Sequence, residues 1–211
     1  MIEPETLTVE VAVAAPIGRV WSALTEPGEI RQWFGWEYDG LADEIREIFV
    51  EHVERFPPVR LAMADGSELV LAADGERTLL RVVVPGDGDG GFNPILEGWR
   101  AFTEQLRFLL ERRPAGPRHT VYLTGAATGA QLLAALPPVG EGELWHDSRY
   151  LRMVVDRGGR LLTALAEQPL AGDEVAPVSL TVASYGPDDA AAAHLRDEWS
   201  TRWHAALPPA P

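Results

Sequence analysis

The side chains that could do acid–base or metal chemistry are few, and their spacing matches no known catalytic pattern. No pair of histidines has the His-x-x-x-His spacing of a helical zinc site. The five histidines are His52, His119, His146, His194 and His204. His146 stands out because it follows Trp145 and has an acid, Asp147, beside it. A solvated loop histidine is the alternative interpretation of His146.

Covalent chemistry is limited by composition. The chain contains no Cys, and all 18 of its basic residues are Arg, which excludes thiolate sites, disulfides and Schiff-base lysines. Ser67 and Ser184 lie in no Gly-x-Ser-x-Gly elbow. Asp87-Gly88-Asp89-Gly90 is similar to part of a calcium loop but lacks the later bidentate Glu. We therefore expect no metal and no cofactor, and we assign no catalytic residue.

The net charge of −14 argues against nucleic acid and against anionic membrane surfaces, since both are bound through clustered basic residues. No apolar run reaches the ~20 residues of a membrane helix. Residues 1–5 lack the basic-then-apolar order of a signal peptide. We expect a cytoplasmic protein, and the sequence leaves its oligomeric state open.

The first half predicts a strand, two short helices and then a run of strands. Residues 7–13 alternate apolar and polar side chains, as half-buried strands do. Short helices are predicted after Pro16 and at 29–34. Four further runs are interpreted as strands that form an antiparallel meander, because Asp-Gly turns separate the later ones. These runs are 44–54, 59–64, 68–72 and 78–84.

A long helix is predicted next, since Asn93-Pro94 is a strong helix start. Its apolar stripe comprises Ile95, Trp99, Phe102, Leu106 and Leu109. Residues 114–118, rich in Pro and Gly, form a predicted linker. The sequence thus predicts a first domain at 1–113 and a second at 119–211.

Two separated motifs carry a family resemblance. The first motif resembles the N-terminal segment of the family of activator of Hsp90 ATPase homologues. It comprises residues 15–27 (APIGRVWSALTEP) and Trp33-Phe34-Gly35. The segment from Gly98-Trp99 to Glu111 resembles that family's terminal helix. This family belongs to the START/SRPBCC superfamily (Bet v 1-like, polyketide cyclase). The resemblance implies an α+β helix-grip fold, in which an antiparallel sheet wraps around a long C-terminal helix and leaves an apolar cavity. Nothing in the sequence indicates an Hsp90-binding surface.

Internal repetition extends this interpretation to the second half. A shift of 112 positions gives nine ungapped identities between residues 7–35 and 119–147, among them Trp33 with Trp145. Strands are predicted at 150–156, 160–167 and 178–185, and a helix at 187–206 whose apolar side carries Leu195, Trp199 and Trp203. We interpret this half as a reduced, second helix-grip copy; an unrelated α+β extension is the alternative.

The cavity that the resemblance implies would be lined by aromatic and apolar side chains from both copies, as ligand pockets commonly are. Plain core packing is the alternative for each of these residues. The candidate ligand-binding residues are Trp33, Phe34, Trp36, Phe49, Phe56, Trp99, Phe102 and Leu106 in the first copy, and Trp145, His146, Tyr150, Met153, Trp199 and Trp203 in the second.

Three functions stay open. The first is binding or sequestration of a bulky hydrophobic or aromatic small molecule, such as a polyketide or enediyne natural product, in biosynthesis or self-resistance. The second is a polyketide cyclase or aromatase-like enzyme, with His52, Glu51, Arg55, Tyr150 and His146 as candidate proton-transfer groups. The third is a protein-interaction module without a ligand. We expect the first copy to hold the ligand and the second to cap or brace it.

Overall fold

The computed structural model describes residues 6–86, 90–138 and 140–207. The segment before residue 6 and the acidic loop at 87–89, both interpreted above, lie outside the described residues. By its internal contacts the chain divides into two compact units, Met1–Arg113 and Pro114–Pro211. Each unit is described separately below.

The first unit is an antiparallel five-stranded sheet with helices on one face. The strands lie in the order β1-β5-β4-β3-β2. Its elements are β1 Thr6–Val13, α1 Ile17–Thr25, α2 Pro27–Ile30, α3 Leu41–Arg46 with a π-helical turn Glu47–Glu51, β2 Val53–Phe56, β3 Arg60–Met63, β4 Glu68–Asp74, β5 Arg77–Pro85 and α4 Pro94–Arg112.

Helix α4 begins where the sequence predicts. The Asn93 side chain accepts hydrogen bonds from the backbone N–H groups of Ile95 and Leu96 at 3.1 and 3.0 Å, so two of the orphan donors of the first turn are satisfied. At the other end, the backbone N–H of Ala14 donates to Glu111 Oε1 at 2.9 Å, which ties the helix to the end of β1. Most of the predicted stripe faces the sheet, but Ile95 in the first turn is 54% exposed.

The prediction of a strand at 44–54 is wrong for most of that segment. Residues 41–51 are helical, and only Val53–Phe56 forms a strand. Leu41, Ile45 and Phe49 are spaced by four and are buried together in the apolar core, which is the stripe of an amphipathic helix. The β-branched residues of the run suggested a strand. The segment is helical because a helix buries all three apolar residues that are spaced by four.

The second unit repeats this architecture with fewer helices. Its strands lie in the order β6-β10-β9-β8-β7, all antiparallel, so each strand has the same place as its counterpart in the first sheet. Its elements are β6 Arg118–Ala127, α5 Gly129–Ala134, β7 Gly142–Asp147, β8 Leu151–Asp156, β9 Leu161–Ala166, β10 Ala176–Tyr185 and α6 Asp189–Ala206.

Local capping sets the helices of this unit. Thr128 and Gln131 form a reciprocal capping box at the start of α5. Asp188 caps α6 by accepting from the backbone N–H of Ala191 at 2.8 Å, so α6 starts two residues later than predicted. Leu195, Trp199 and Trp203 are all buried in the cluster between α6 and the sheet.

A shift of 112 positions aligns the first strand and the first helix of the two units. Beyond these elements the same shift no longer aligns equivalent residues. Helices α1 and α5 begin at Ile17 and Gly129, which are 112 positions apart. After α1 the first unit has α2, α3 and the π-helical turn before its next strand, whereas α5 is followed directly by the short segment 135–141 and β7. Trp145 therefore lies in a strand and Trp33 between two helices, and the two are not equivalent.

The predicted fold class is confirmed. The chain is α+β, with two antiparallel five-stranded sheets, each ending in a long helix that packs on its own sheet. The predicted inward positions of Trp99 and Trp199 are confirmed as well, since both side chains lie in these helix–sheet cores. Within the described residues, no helix has the length and apolar character needed to cross a membrane.

Candidate ligand-binding site

An aromatic cluster fills the space between α4 and the sheet of the first unit. Phe34 contacts Phe49 with ring centroids 5.0 Å apart and Phe102 at 4.7 Å. Trp33 lies 5.8 Å from both Phe34 and Phe49, and Trp99 lies 6.3 Å from Phe49 and 6.4 Å from Phe102. Most pairs meet edge to face, the arrangement that the ring quadrupole favours. The five rings therefore form one continuous network.

This network runs from the deep interior to the surface. Trp33 has no exposed area and Phe49 is nearly as buried, whereas Phe102 is only half-buried and packs on the edge of the core. Leu106 continues the same helix face and is fully buried. Six of the eight candidates from the first copy are thus brought together, with an aromatic edge that reaches solvent at Phe102.

The other two candidates of the first copy lie elsewhere. In β2, Val53 and Arg55 are opposite Met63 and Leu61, whose side chains face the core. Strand alternation then puts Phe56 on the outer face of the sheet, where the guanidinium of Arg60 lies 4.0 Å from its ring centroid.

Trp36 lies in the loop after α2, half-buried, with its ring 6.4 Å from that of Tyr38.

Three polar groups inside the first core are bonded to the protein itself. Trp33 Nε1 donates to the carbonyl oxygen of Ala23 at 2.9 Å. Thr78 Oγ1 donates to the carbonyl oxygen of Ala15 at 2.8 Å, and Thr103 Oγ1 to that of Trp99 at 2.9 Å. The aromatic cluster therefore offers a ligand ring edges and faces rather than hydrogen bonds.

The structure does not bring the proton-transfer candidates of the first copy into this core. His52 and Glu51 are exposed, and Glu51 forms an ion pair with Arg46 at 3.0 Å. Arg55 is on the inner face of the edge strand β2 but is exposed, and its Nη2 donates to the carbonyl oxygen of Phe49 at 2.9 Å.

In the second unit, only two candidates lie between helix and sheet. Trp199 and Trp203 are 1% and 4% exposed within the apolar cluster under α6. Gly125 of β6 lies against Trp203, since a β-carbon there would be in van der Waals contact with the indole ring at 3.4 Å. The ring of Trp199 has two cations nearby, with the guanidinium carbons of Arg160 and Arg202 5.8 and 5.0 Å from its centroid.

The remaining candidates of the second copy lie outside that cluster. Met153 neighbours Val154 in β8, and Val154 belongs to the cluster under α6, so Met153 is on the opposite face of the sheet. His146 is opposite Met153 in the register, and the strand is irregular at Trp145 just before it. Tyr150 is buried just before β8, with the guanidinium of Arg149 5.2 Å from its ring centroid.

Sequence reasoning missed two residues of α3 that belong to the first core. Leu41 and Ile45 of α3 are buried against the same apolar cluster as Phe49. Their fourfold spacing was the available signal. Among the described residues, no group of three or more His, Asp or Glu side chains is arranged to hold a metal ion.

No protein-family model matches the chain, and no curated protein matches it either. Solved structures do match. DynU16, a protein in the dynemicin biosynthetic locus, has 20% identity and a TM-score of 0.39 over 96% of each chain. CalU16 from Micromonospora echinospora has 22% identity and a TM-score of 0.38 over 51% of this chain and 66% of its own. The di-domain ARO/CYC BexL from the BE-7585A biosynthetic pathway has 12% identity and a TM-score of 0.35 over 96% of each chain.

Proposed function

We propose that this protein binds a bulky, largely apolar aromatic small molecule at the five-ring network of the first unit. The observation that carries the proposal is the continuous path of ring contacts from buried Trp33 to half-buried Phe102. An aromatic edge that reaches solvent lets a planar ligand extend the network by stacking and edge contacts.

The composition of this core sets the ligand class. Because its polar groups are bonded internally, as at Trp33 and Thr78, a strongly polar ligand would lose its hydration without new partners. A fused-ring molecule such as a natural product of polyketide type, the class that the helix-grip resemblance implies, meets this requirement. Binding or sequestration, in biosynthesis or in self-resistance, is the role we propose for the complex.

A second candidate is a protein-interaction module without a ligand. Close ring packing favours it, since Phe34 and Phe102 are already only 4.7 Å apart, and a ligand would have to displace or rotate Phe102. The enzymatic alternative needs proton-transfer groups at the ligand, and His52 and Glu51 lie at the surface.

The experiment is an equilibrium titration of the full chain with neutral polycyclic aromatics of two to four fused rings, followed by intrinsic tryptophan fluorescence. Trp33 and Trp99 belong to the network, so binding there should change their emission saturably. We expect Kd values to fall as ring number rises, because the buried apolar area rises. Absence of a saturable change over the whole series would contradict small-molecule binding and support the interaction module.

A further inference from the structure

The indole N–H of Trp199 is a buried hydrogen-bond donor without an acceptor among the described residues. Its side chain is 1% exposed and lies in the core of the second unit. Buried indole N–H groups ordinarily find a partner. The comparison within this chain is direct, because Trp33 in the first core donates to Ala23.

The second core also lacks a cover that the first core has. In the first unit, α3 and the π-helical turn bring Ile45 and Phe49 over the inner face of the sheet. In the second unit the corresponding chain is only residues 135–141, and its described part (all but residue 139) contains no helix. The inner face near β7 and β8 is therefore less covered than its counterpart near β2 and β3.

The exposure of Leu144 shows where this opening lies. Leu144 is opposite Val154 in the β7–β8 register, so both side chains are on the face that α6 packs against. Val154 is buried in the same apolar cluster as Trp199, yet Leu144 is 59% exposed. The apolar cluster that contains Trp199 thus includes Val154, and the cross-strand neighbour of Val154, Leu144, is open to solvent.

Charged side chains lie near Leu144, Val154 and Trp199, and they form hydrogen bonds or ion pairs within the protein. Asp147 and Arg152, next to Leu144 and Val154, form a bidentate ion pair at 2.9 Å in both contacts. Near the Trp199 ring, Arg160 pairs with Asp156 at 2.6 Å, and Arg202 donates to the carbonyl oxygen of Leu136 at 2.8 Å. The N–H of Trp199 is a buried donor that a ligand could use without breaking an existing bond.

From these observations we infer that the second unit has a ligand site of its own, for an aromatic ketone or quinone. A ring of the ligand packs along Leu144 and Val154, and its carbonyl oxygen accepts a hydrogen bond from Trp199 Nε1. This inference rests on the proposed function but assigns a second site with a different preference: the first core selects by ring packing, whereas the second requires an acceptor.

The test compares two tricyclic probes of the same shape, 9-fluorenone with a carbonyl and fluorene without one. In the full chain labelled with nitrogen-15, the Trp199 indole signal is one of seven and is assigned by its loss in Trp199→Phe. We expect fluorenone to move this signal downfield saturably, and fluorene to cause no such shift. An unchanged Trp199 signal at the highest fluorenone concentration would overturn the inference.

A binding cycle provides the second measurement. At the second site, the wild type should prefer fluorenone over fluorene by about tenfold, the effect of one good hydrogen bond to a desolvated donor. Trp199→Phe should abolish this preference, and the comparison of two probes on one variant cancels general effects of the substitution on the fold. A preference that survives in Trp199→Phe would contradict the inference.

The two proposals fail in different ways. Equal binding of both probes, with Phe102→Ala weakening both, would leave the proposed function standing and remove the site at Trp199. Failure of the wild type to bind any polycyclic probe would remove both proposals.

Discussion

Trp33 Nε1 donates a hydrogen bond of 2.9 Å to the carbonyl oxygen of Ala23. Ala23 lies in the last turn of α1, where carbonyl groups have no partner within the helix. The indole therefore closes the end of α1 and at the same time forms the deep end of the aromatic network. This bond couples the position of a helix to the geometry of the proposed site.

Trp33→Phe should destabilise the first unit by about 2–3 kcal/mol, because it removes ring volume from a fully buried position and leaves the Ala23 carbonyl without its donor. Urea denaturation followed by circular dichroism measures the change. Trp36→Phe is the matched control: Trp36 is half-buried in a loop, and we expect a cost below about 1 kcal/mol. Equal losses in the free energy of unfolding for the two variants would mean that neither the burial of Trp33 nor its bond to Ala23 stabilises the unit.

Asn93→Ala should cost about 1 kcal/mol of stability through the loss of the two hydrogen bonds that begin α4. Asn93→Asp keeps an acceptor and adds negative charge at the helix N-terminus, so it should be neutral or slightly stabilising. Thermal unfolding of the two variants measures the difference. A loss of the same size in Asn93→Asp would show that the side-chain cap is not what stabilises α4.

Alkaline pH should destabilise the second unit through Tyr185. Burial raises the pKa of Tyr185 to about 12, against the opposing effect of the Arg118 charge and its hydrogen bond. Ionisation is then harder in the folded chain than in the unfolded one. The resulting stability is complete below pH ~10 and is lost as the pH rises towards ~12, at up to about 1.4 kcal/mol per pH unit.

Tyr185→Phe should flatten this decline in the free energy of unfolding, measured by urea denaturation at several pH values. Tyr38 is the comparison. Its hydrogen bond to Glu44 raises the pKa of Tyr38 to about 12, but its ring is 47% exposed, so solvent screens the interaction. Tyr38→Phe should leave the alkaline decline in the free energy of unfolding nearly unchanged. A larger flattening in Tyr38→Phe than in Tyr185→Phe would contradict the assignment of this decline to Tyr185.

The long helices were predictable because their signals are local. Asn93-Pro94 and Asp188 are caps that act within three residues, and Trp99 and Trp199 occupy apolar stripes with helical spacing. The segment 44–54 was misread because β-branched residues obscure a stripe with fourfold spacing, and only the tertiary environment decides between the two periods.

The candidate site was predictable by residue type but not by position. Phe56 and Phe102 are both half-buried phenylalanines, yet strand register turns Phe56 away from the core, and a shift of one residue would have reversed its face. Among the described residues Trp199 Nε1 has no acceptor. The sequence cannot predict this, because it depends on which atoms from distant segments of the chain lie near the indole.

The proposed ligand site is tested most directly by Phe102→Ala against Phe56→Ala. The two substitutions are chemically identical, and the two side chains lie on the inner and outer sides of the first unit. We predict that Phe102→Ala raises the Kd of the tightest polycyclic probe by about tenfold, through loss of ring contacts, while Phe56→Ala changes it by no more than about twofold. Unchanged affinity in Phe102→Ala, or an equal loss in both variants, would contradict a ligand at the five-ring network.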